Sequence, residues 1–315
     1  MNKVLWTPSS KKSDASKMTQ FINFINHKYN ASIDDYLKLH DWSINNISLF
    51  WDSISVFFKI KFSTLSDSVF KPGKRIYESK WFNGARLNYA ENLLDTEDTD
   101  KIAIEFFNEL GDKKTITYGR LSKDVSLISN LFQNNGLKKG DRVAAMMPNI
   151  PETIISSLAC ASLGGVWSSC SPDFGEKAIL DRFEQIKPKI LIACNGYTFK
   201  GKKYSTASRI DVLVSKLKSV KCVILVDYIN DNSVLSSNYI HWKDIDFSCS
   251  TESNYFEQMK FNDPLYVMFS SGTTGKPKSI VHSIGGTLIQ HVKELGLHTD
   301  LKSDEKIMYY TTCGW

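Results

Sequence analysis

Ser270-Ser271-Gly272-Thr273-Thr274-Gly275-Lys276-Pro277-Lys278 is the stretch from which the rest of the chain is read. Just upstream, Leu265-Tyr266-Val267-Met268-Phe269 is a run of β-formers entered through Pro264, which predicts a strand. Just downstream, Ser279-Ile280-Val281-His282 predicts a second one. Between them two glycines and four hydroxyl residues make a segment too flexible and too polar for a core. Such a loop can turn backbone N–H groups and hydroxyls around an anion, while a lysine adds charge. It is not a Walker A loop, which needs four residues between its first Gly and a Gly-Lys-Ser/Thr triplet. Here two residues separate Gly272 from Gly275, and Pro277 follows Lys276. The bland alternative is an ordinary Gly/Ser/Thr hairpin, and the density of the pattern speaks against it.

Working outward, the 315 residues are enough to bury a large core in more than one structural unit. Hydrophobic residues at 42% and charged residues at 23% place the chain among ordinary globular proteins. The net charge of +5 is spread out and not clustered, which disfavours a nucleic-acid surface and suits polyanionic small molecules. Cys160, Cys170, Cys194, Cys222, Cys249 and Cys313 lie far apart with no CxxC, so reduced and mostly buried thiols are expected, with no metal site. No long apolar span and no signal-peptide h-region occur, and the expectation is a soluble, cytoplasmic protein with no membrane partner.

The first ninety residues read as a helical lead-in. Met18, Phe21, Ile22, Ile25 and Tyr29 share one helical face. Ser32 with Asp35 predicts a capping box, and Ile44, Ile47, Trp51, Ile54 and Phe58 predict one further helix. Lys71-Pro72-Gly73-Lys74 predicts a turn. From about residue 100 the elements alternate. Strands are predicted at 102–107, 115–118, 142–147, 166–170, 190–194 and 222–227, with a turn at Gly111-Asp112. Helices are predicted through Leu121–Phe132, from Pro151 to Gly164-Gly165, around Ile179–Ile186, and around Ile210–Leu217. Apolar strands alternating with helices predict an α/β fold whose parallel sheet is covered on both faces. Ligands of such sheets gather at the C-terminal strand ends, and the loop after Phe269 leaves such an end.

The Ser270–Lys278 pattern resembles the phosphate-binding loop of the adenylate-forming superfamily, which includes acyl-CoA synthetases and luciferases. Within it the chain is similar to acetoacetyl-CoA synthetases. That likeness is carried by Val4-Leu5-Trp6-Thr7-Pro8-Ser9, by the run Trp81 to Asn92, and by Trp167 to Gly175 with Leu180-Asp181-Arg182-Phe183. Val281 to His291 and the closing Tyr310-Thr311-Thr312-Cys313-Gly314-Trp315 extend it along essentially the whole chain. The resemblance implies a helical extension over 1–90 and a layered αβα adenylate-forming domain over 91–315. It also implies a cytoplasmic ligase of ketone-body utilisation that joins acetoacetate to CoA at the expense of ATP, through an acyl-adenylate.

On that resemblance Ser270, Ser271, Thr273 and Thr274 would offer hydroxyls or amides to the ATP phosphates. Gly272 and Gly275 would admit the backbone closely, and Lys278, with Thr274, would act on the phosphates in catalysis. Lys276 occupies a variable position and is left out. Trp315 and its neighbours resemble the segment beside the acyl pocket, while a buried strand explains the same residues without a ligand. Lys202 and Lys203 only partly match the CoA-binding arginines of acetyl-CoA synthetases and read as a solvated pair. His282 reads as structural, and Asp173 as holding a turn. The superfamily's Tyr-Gly-x-Thr-Glu block, whose Glu holds Mg²⁺, is not in the sequence, nor is a small C-terminal domain with its catalytic Lys. The expectation is therefore the N-terminal portion of a longer enzyme, inactive alone. Alternatives are an acetyl- or propionyl-CoA synthetase-like ligase and a non-catalytic nucleotide-binding module; an unrelated P-loop phosphotransferase is disfavoured by the glycine spacing.

Overall fold

The computed structural model describes residues 5–230, 238–248, 255–270 and 275–314. Ser271, Gly272, Thr273 and Thr274 of the expected phosphate loop lie outside the described residues, as do Val4, Cys249 and Trp315. The chain forms two compact units.

The first unit comprises the residues up to Arg86 with Lys260–Asn262 and Gly285–Tyr309. Its Lys17–Tyr29 helix starts at Ser16, whose side chain accepts from the Thr19 N–H. The apolar face named above buries Phe21 and Ile25 completely. Phe21 meets Phe50 and Phe57 edge-on, with centroids 5.9 and 5.2 Å away. Two sequence expectations change here. Asp35 itself caps the Tyr36–Asn45 helix through the Lys38 N–H, so the cap is a single side chain and not a box with Ser32. The single helix predicted through Ile44 and Phe58 is two, Tyr36–Asn45 and Ile47–Phe57. Asn46 separates them because its backbone N–H and its side-chain amide both donate to the Trp42 carbonyl, closing the first helix. Ile44 is consequently 56% exposed, whereas Ile54 is buried. Lys71-Pro72-Gly73-Lys74 leaves the Ser68–Lys71 strand, which pairs antiparallel with Lys80–Asn83.

The second unit is built on a seven-stranded sheet. Across the sheet the order is Ile240–His241, Cys222–Val226, Ile190–Cys194, Arg142–Met146, Val166–Cys170, Pro264–Ser270 and Lys278–Ser283. All pairings are parallel except the last. Strands 142–146, 166–170, 190–194 and 222–226 are mostly Val, Ile, Ala and Cys and are buried almost throughout, as strands covered on both faces must be. Helices Glu176–Ile186 and Ala207–Lys216 cover one face, with Ile179, Phe183, Ile210 and Leu213 packed on Ala144, Met146, Leu191 and Leu225. Full burial of each such side chain contributes about 1.5–3 kcal/mol. Val143 and Ala145, on the alternate face, are fully buried too. The crossover from the Arg142–Met146 strand through the Pro151–Ser162 helix runs opposite to the next two, because the strand order reverses there. Such a reversal is where open α/β sheets hold ligands, here at the C-terminal ends of Arg142–Met146 and Val166–Cys170.

Turn chemistry fits the reading. Pro151 is the first residue of its helix, and the helix exits through Gly164 at φ +66°. The Ile102–Phe107 and Lys113–Thr117 hairpin turns at Gly111. A second hairpin, Gly196–Phe199 with Lys202–Ser205, was not expected. It places Lys202 and Lys203 on an exposed ribbon.

Candidate functional site

The two strands flanking the loop form a hairpin whose last rung pairs Ser270 with Lys278. The strands thus bring the first and last residues of the quoted stretch together at the C-terminal edge of the sheet. Gly275 sits at φ +155°, and a Cβ there would meet nothing within 4 Å, so the backbone at this point faces open space. Lys276 and Lys278 are exposed beside it. A small-residue backbone open to solvent and flanked by two ammonium groups fits a polyphosphate. Ser271, Gly272, Thr273 and Thr274 lie outside the described residues.

The second part of the site is the Thr311–Cys313 segment, seated at the strand-order reversal. A strand was expected through this run, but it has no ladder; its backbone groups are taken by side chains instead. The Asn149 amide donates to the Thr311 carbonyl at 2.5 Å. Ser169 Oγ donates to the Cys313 carbonyl at 2.5 Å and accepts the Trp167 indole N–H at 3.2 Å. Cys313 Sγ donates to the Met147 carbonyl at 2.9 Å. A Cβ at Gly314 would lie 3.0 Å from the Ser169 carbonyl, so a larger residue here would press on the strand backbone. The segment is thereby laid across the ends of both central strands, where α/β sheets hold ligands.

Two cavities flank it. One of about 180 Å³ is lined by Tyr89, Leu158, Trp167, Tyr266, Met268 and Cys313. The other, about 390 Å³, shares Trp167 and Cys313 and adds Glu105, Asn149, Ile154 and Thr312. Thr312 Oγ1 is buried there without a hydrogen-bond partner. Burial pushes the Cys313 thiol up to about 11 and the Cys170 thiol well above its ordinary value, so both are neutral thiols at neutral pH, not nucleophiles. Burial likewise raises the Tyr89 phenol.

The remaining sequence candidates separate cleanly. His282 packs against Tyr266 with centroids 4.9 Å apart and the rings tilted by 40°, which fits a structural histidine. Asp173 is exposed in the turn after Cys170. Among the described residues no group of three or more His, Cys, Asp or Glu side chains stands together as a metal cage. The five described cysteines are free thiols, and four of them are buried. No helix among the described residues is long and apolar enough to cross a membrane. Sequence reasoning missed Ser169, Asn88 and Arg209 as organising groups. Arg209 donates to the Pro172 and Phe174 carbonyls at 2.7 and 2.8 Å and so fixes the turn after the Val166–Cys170 strand. The signal was the Ser168-Ser169 pair inside a buried strand. Two hydroxyls there must each find a partner, and Ser168 takes the Val267 carbonyl at 2.8 Å while Ser169 takes Cys313.

Comparison with known proteins adds the following. The family described as "AMP-binding enzyme" matches residues 94–315, and "Acetyl-coenzyme A synthetase N-terminus" matches residues 36–93. The chain is 40% identical over 314 residues to acetoacetyl-coenzyme A synthetase of Rhizobium meliloti (strain 1021), covering 99% of this chain and 48% of that protein. It is 39% identical over 326 residues to acetoacetyl-CoA synthetase of Xenopus tropicalis, again 99% and 48%. A solved acetoacetyl-CoA synthetase from Streptomyces lividans superposes with a TM-score of 0.93 at 33% identity, covering 100% of this chain and 48% of that one. The chain spans about half the length of the curated relatives it matches.

Proposed function

The chain belongs to the family of AMP-binding enzymes, and from that premise we propose that it carries the nucleotide-phosphate site of an ATP-dependent acid–thiol ligase acting on acetoacetate. Two steps are implied. Carboxylate and ATP give acyl-adenylate and pyrophosphate, and the CoA thiol then displaces AMP. Neither step requires a covalent enzyme nucleophile, so the chain contributes positioning and electrostatics. The observation that carries the reading is the Ser270–Lys278 rung, which presents Gly275, Lys276 and Lys278 at the open C-terminal edge of the sheet.

In this reading Lys278 stabilises charge on the phosphates, assisted by Thr274. Ser270, Ser271, Gly272, Thr273 and Gly275 line the polyphosphate with hydroxyls and backbone N–H groups. The Thr311–Cys313 segment borders the acyl group, and its buried Thr312 hydroxyl, without a partner among the described residues, supplies a polar contact in a wall that also carries Glu105 and Asn149. CoA is the second substrate. Mg²⁺ is proposed to arrive on the ATP phosphates, with no cage assigned to the chain's own residues. The organisation proposed is a helical extension over 1–90 and an AMP-binding domain over 91–315, in a cytoplasmic protein. Support for acetoacetate comes from relatives of that name in bacteria and vertebrates.

The test is ATP–pyrophosphate exchange by the protein carrying this chain over its whole reading frame, with acetoacetate, acetate, propionate and 3-hydroxybutyrate. An apolar pocket separates homologues by only about 1–3 kcal/mol per methylene, whereas a hydrogen-bonded keto oxygen separates them further. Acetoacetate is expected to exchange fastest. Faster exchange with acetate would overturn the substrate, and no exchange with any of the four would overturn the ligase.

A further inference from the structure

Among the described residues the rung between Ser270 and Lys278 is the last of the ladder, and Phe269 and Pro277 on either side of the loop meet a further element of the fold. The Glu176–Ile186 helix reaches both ends of the loop. At the entry, the Arg182 guanidinium lies between two rings, 4.8 Å from the Phe174 centroid and 5.9 Å from that of Phe269. Phe269 is the residue immediately before the loop and is itself buried. Arg182 also donates to the Ala178 carbonyl at 2.6 Å, one turn back, which fixes its orientation. At the exit, Gln185 Nε2 donates to the Pro277 carbonyl at 2.9 Å. Pro277 has no N–H, so its carbonyl is the only backbone group by which that residue can be held. The same amide donates to the Asp181 carbonyl at 2.6 Å, so the Gln185 side chain is anchored on its own helix before it reaches across. A longer-range charge interaction lies between them. The Asp181 carboxylate, held below its usual range chiefly by Lys177, also feels the Lys276 charge.

We infer that the Glu176–Ile186 helix is the positioning element of the phosphate loop, with Gln185 as a positioning residue that fixes the Pro277 carbonyl and thereby the direction of Lys276 and Lys278. The inference rests on the adenylation reading given above. Gln185 is an exposed residue at the end of its helix, where a hydrogen bond to a loop 92 positions away in the chain contributes little to folding. Its consequence is local: it sets where two ammonium groups stand relative to the polyphosphate. A 1 Å misplacement of such groups is enough to change ligand handling without touching the rest of the fold. Arg182 works at the other end through its aromatic contacts, and it is buried enough that its removal also disturbs packing; Gln185 is therefore the residue to test.

The experiment uses the protein over its whole reading frame and measures ATP–pyrophosphate exchange with acetoacetate as a function of each substrate, for the unsubstituted protein and for three variants. Gln185→Glu keeps the reach and replaces the N–H donors by a carboxylate facing the Pro277 carbonyl. Gln185→Lys keeps a donor of similar reach. Glu184→Gln changes the neighbouring exposed position. Gln185→Glu is expected to raise KM for ATP about tenfold while KM for acetoacetate stays within about twofold. Gln185→Lys should return KM for ATP to within about threefold of the unsubstituted protein, and Glu184→Gln should leave both constants unchanged. Amide exchange of the 275–280 segment should quicken in Gln185→Glu alone. Unchanged KM for ATP in Gln185→Glu, or a parallel rise of both KM values with a lowered Tm, would overturn the positioning role. Exchange in the unsubstituted protein that is matched by Gln185→Glu at the same KM for ATP refutes the inference alone; no exchange in the unsubstituted protein with any carboxylate refutes the adenylation reading and the inference with it.

Discussion

Replacing Ser169 by Ala removes a side chain that both ties the Thr311–Cys313 segment to the Val166–Cys170 strand and accepts the Trp167 indole N–H. Its hydroxyl donates to the Cys313 carbonyl and accepts the Trp167 indole N–H, and both Ser169 and Trp167 are only 9% exposed. A net contribution of about 0.5–1.5 kcal/mol is expected for each ordinary hydrogen bond, and about 1–3 kcal/mol for a buried donor left unmade. The Cys313 carbonyl borders a cavity and can turn to water, so its loss lies at the low end. The indole N–H, left without its acceptor, contributes the larger part. Together the loss comes to about 2–3 kcal/mol in the stability of the second unit. Urea unfolding of the 315-residue chain, followed by tryptophan fluorescence, measures it as a lowered midpoint at constant m. Ser157→Ala is the control, because Ser157 lines the same cavity but donates only to the Ile154 carbonyl within its own helix. A Ser169→Ala loss no larger than that control, below about 0.5 kcal/mol, would refute the account of how the segment is seated.

Other outcomes follow from the same reasoning. Asn88 is fully buried; its amide donates to the Ala161, Ser162 and Glu257 carbonyls, and its Oδ1 accepts the Glu91 N–H that opens the Tyr89–Leu94 helix. Asn88→Ala should therefore cost about 3 kcal/mol in urea unfolding, and a loss under about 1 kcal/mol would contradict this network. Burial raises the Cys194 thiol from 9.0 to about 12, and Cys222 and Cys313 to about 11. A folded-state pKa above the unfolded one favours the neutral form, so this stabilisation is complete below the unfolded value of 9.0 and is lost as pH rises toward 11 and 12. The unfolding midpoint should fall over that window, and Cys194→Ala should flatten part of the slope; an unaltered slope would contradict the assignment.

Much of this fold was readable because its period changes are sharp. Val166–Cys170 and Ile190–Cys194 are short runs with glycine or proline within two residues of each end, and their limits fall where the sequence placed them. Pro151 and Gly164 bracket their helix for the same reason, since each residue admits few backbone alternatives. The errors arose where a local hydrogen bond overrode periodicity. Asn46 closes a helix that its neighbours' apolar spacing carries on, and Asp35 caps alone where a two-residue pattern was sought. The closing segment reads as a strand because Tyr309, Tyr310 and Thr311 favour extended backbone, yet its partners are the side chains of Asn149 and Ser169. Nothing in its own sequence encodes that. The same limit applies to Gln185, which lies 92 positions from Pro277 and meets it only through the packing of the helix on the sheet. The loop motif could be located from its own residues, whereas the groups that hold its ends could not.

The most direct test of the phosphate site is Lys278→Ala in the protein over its whole reading frame, assayed by ATP–pyrophosphate exchange with acetoacetate. Lys278 is exposed at the last rung of the hairpin, so its removal should leave the unfolding midpoint within about 0.5 kcal/mol of the original. Loss of one preorganised charge at the transferring phosphate should raise the barrier by about 2–4 kcal/mol, a fall of roughly 30- to 1,000-fold in exchange rate. An exchange rate unchanged in the folded variant would mean that the Ser270–Lys278 loop is not where the phosphates bind.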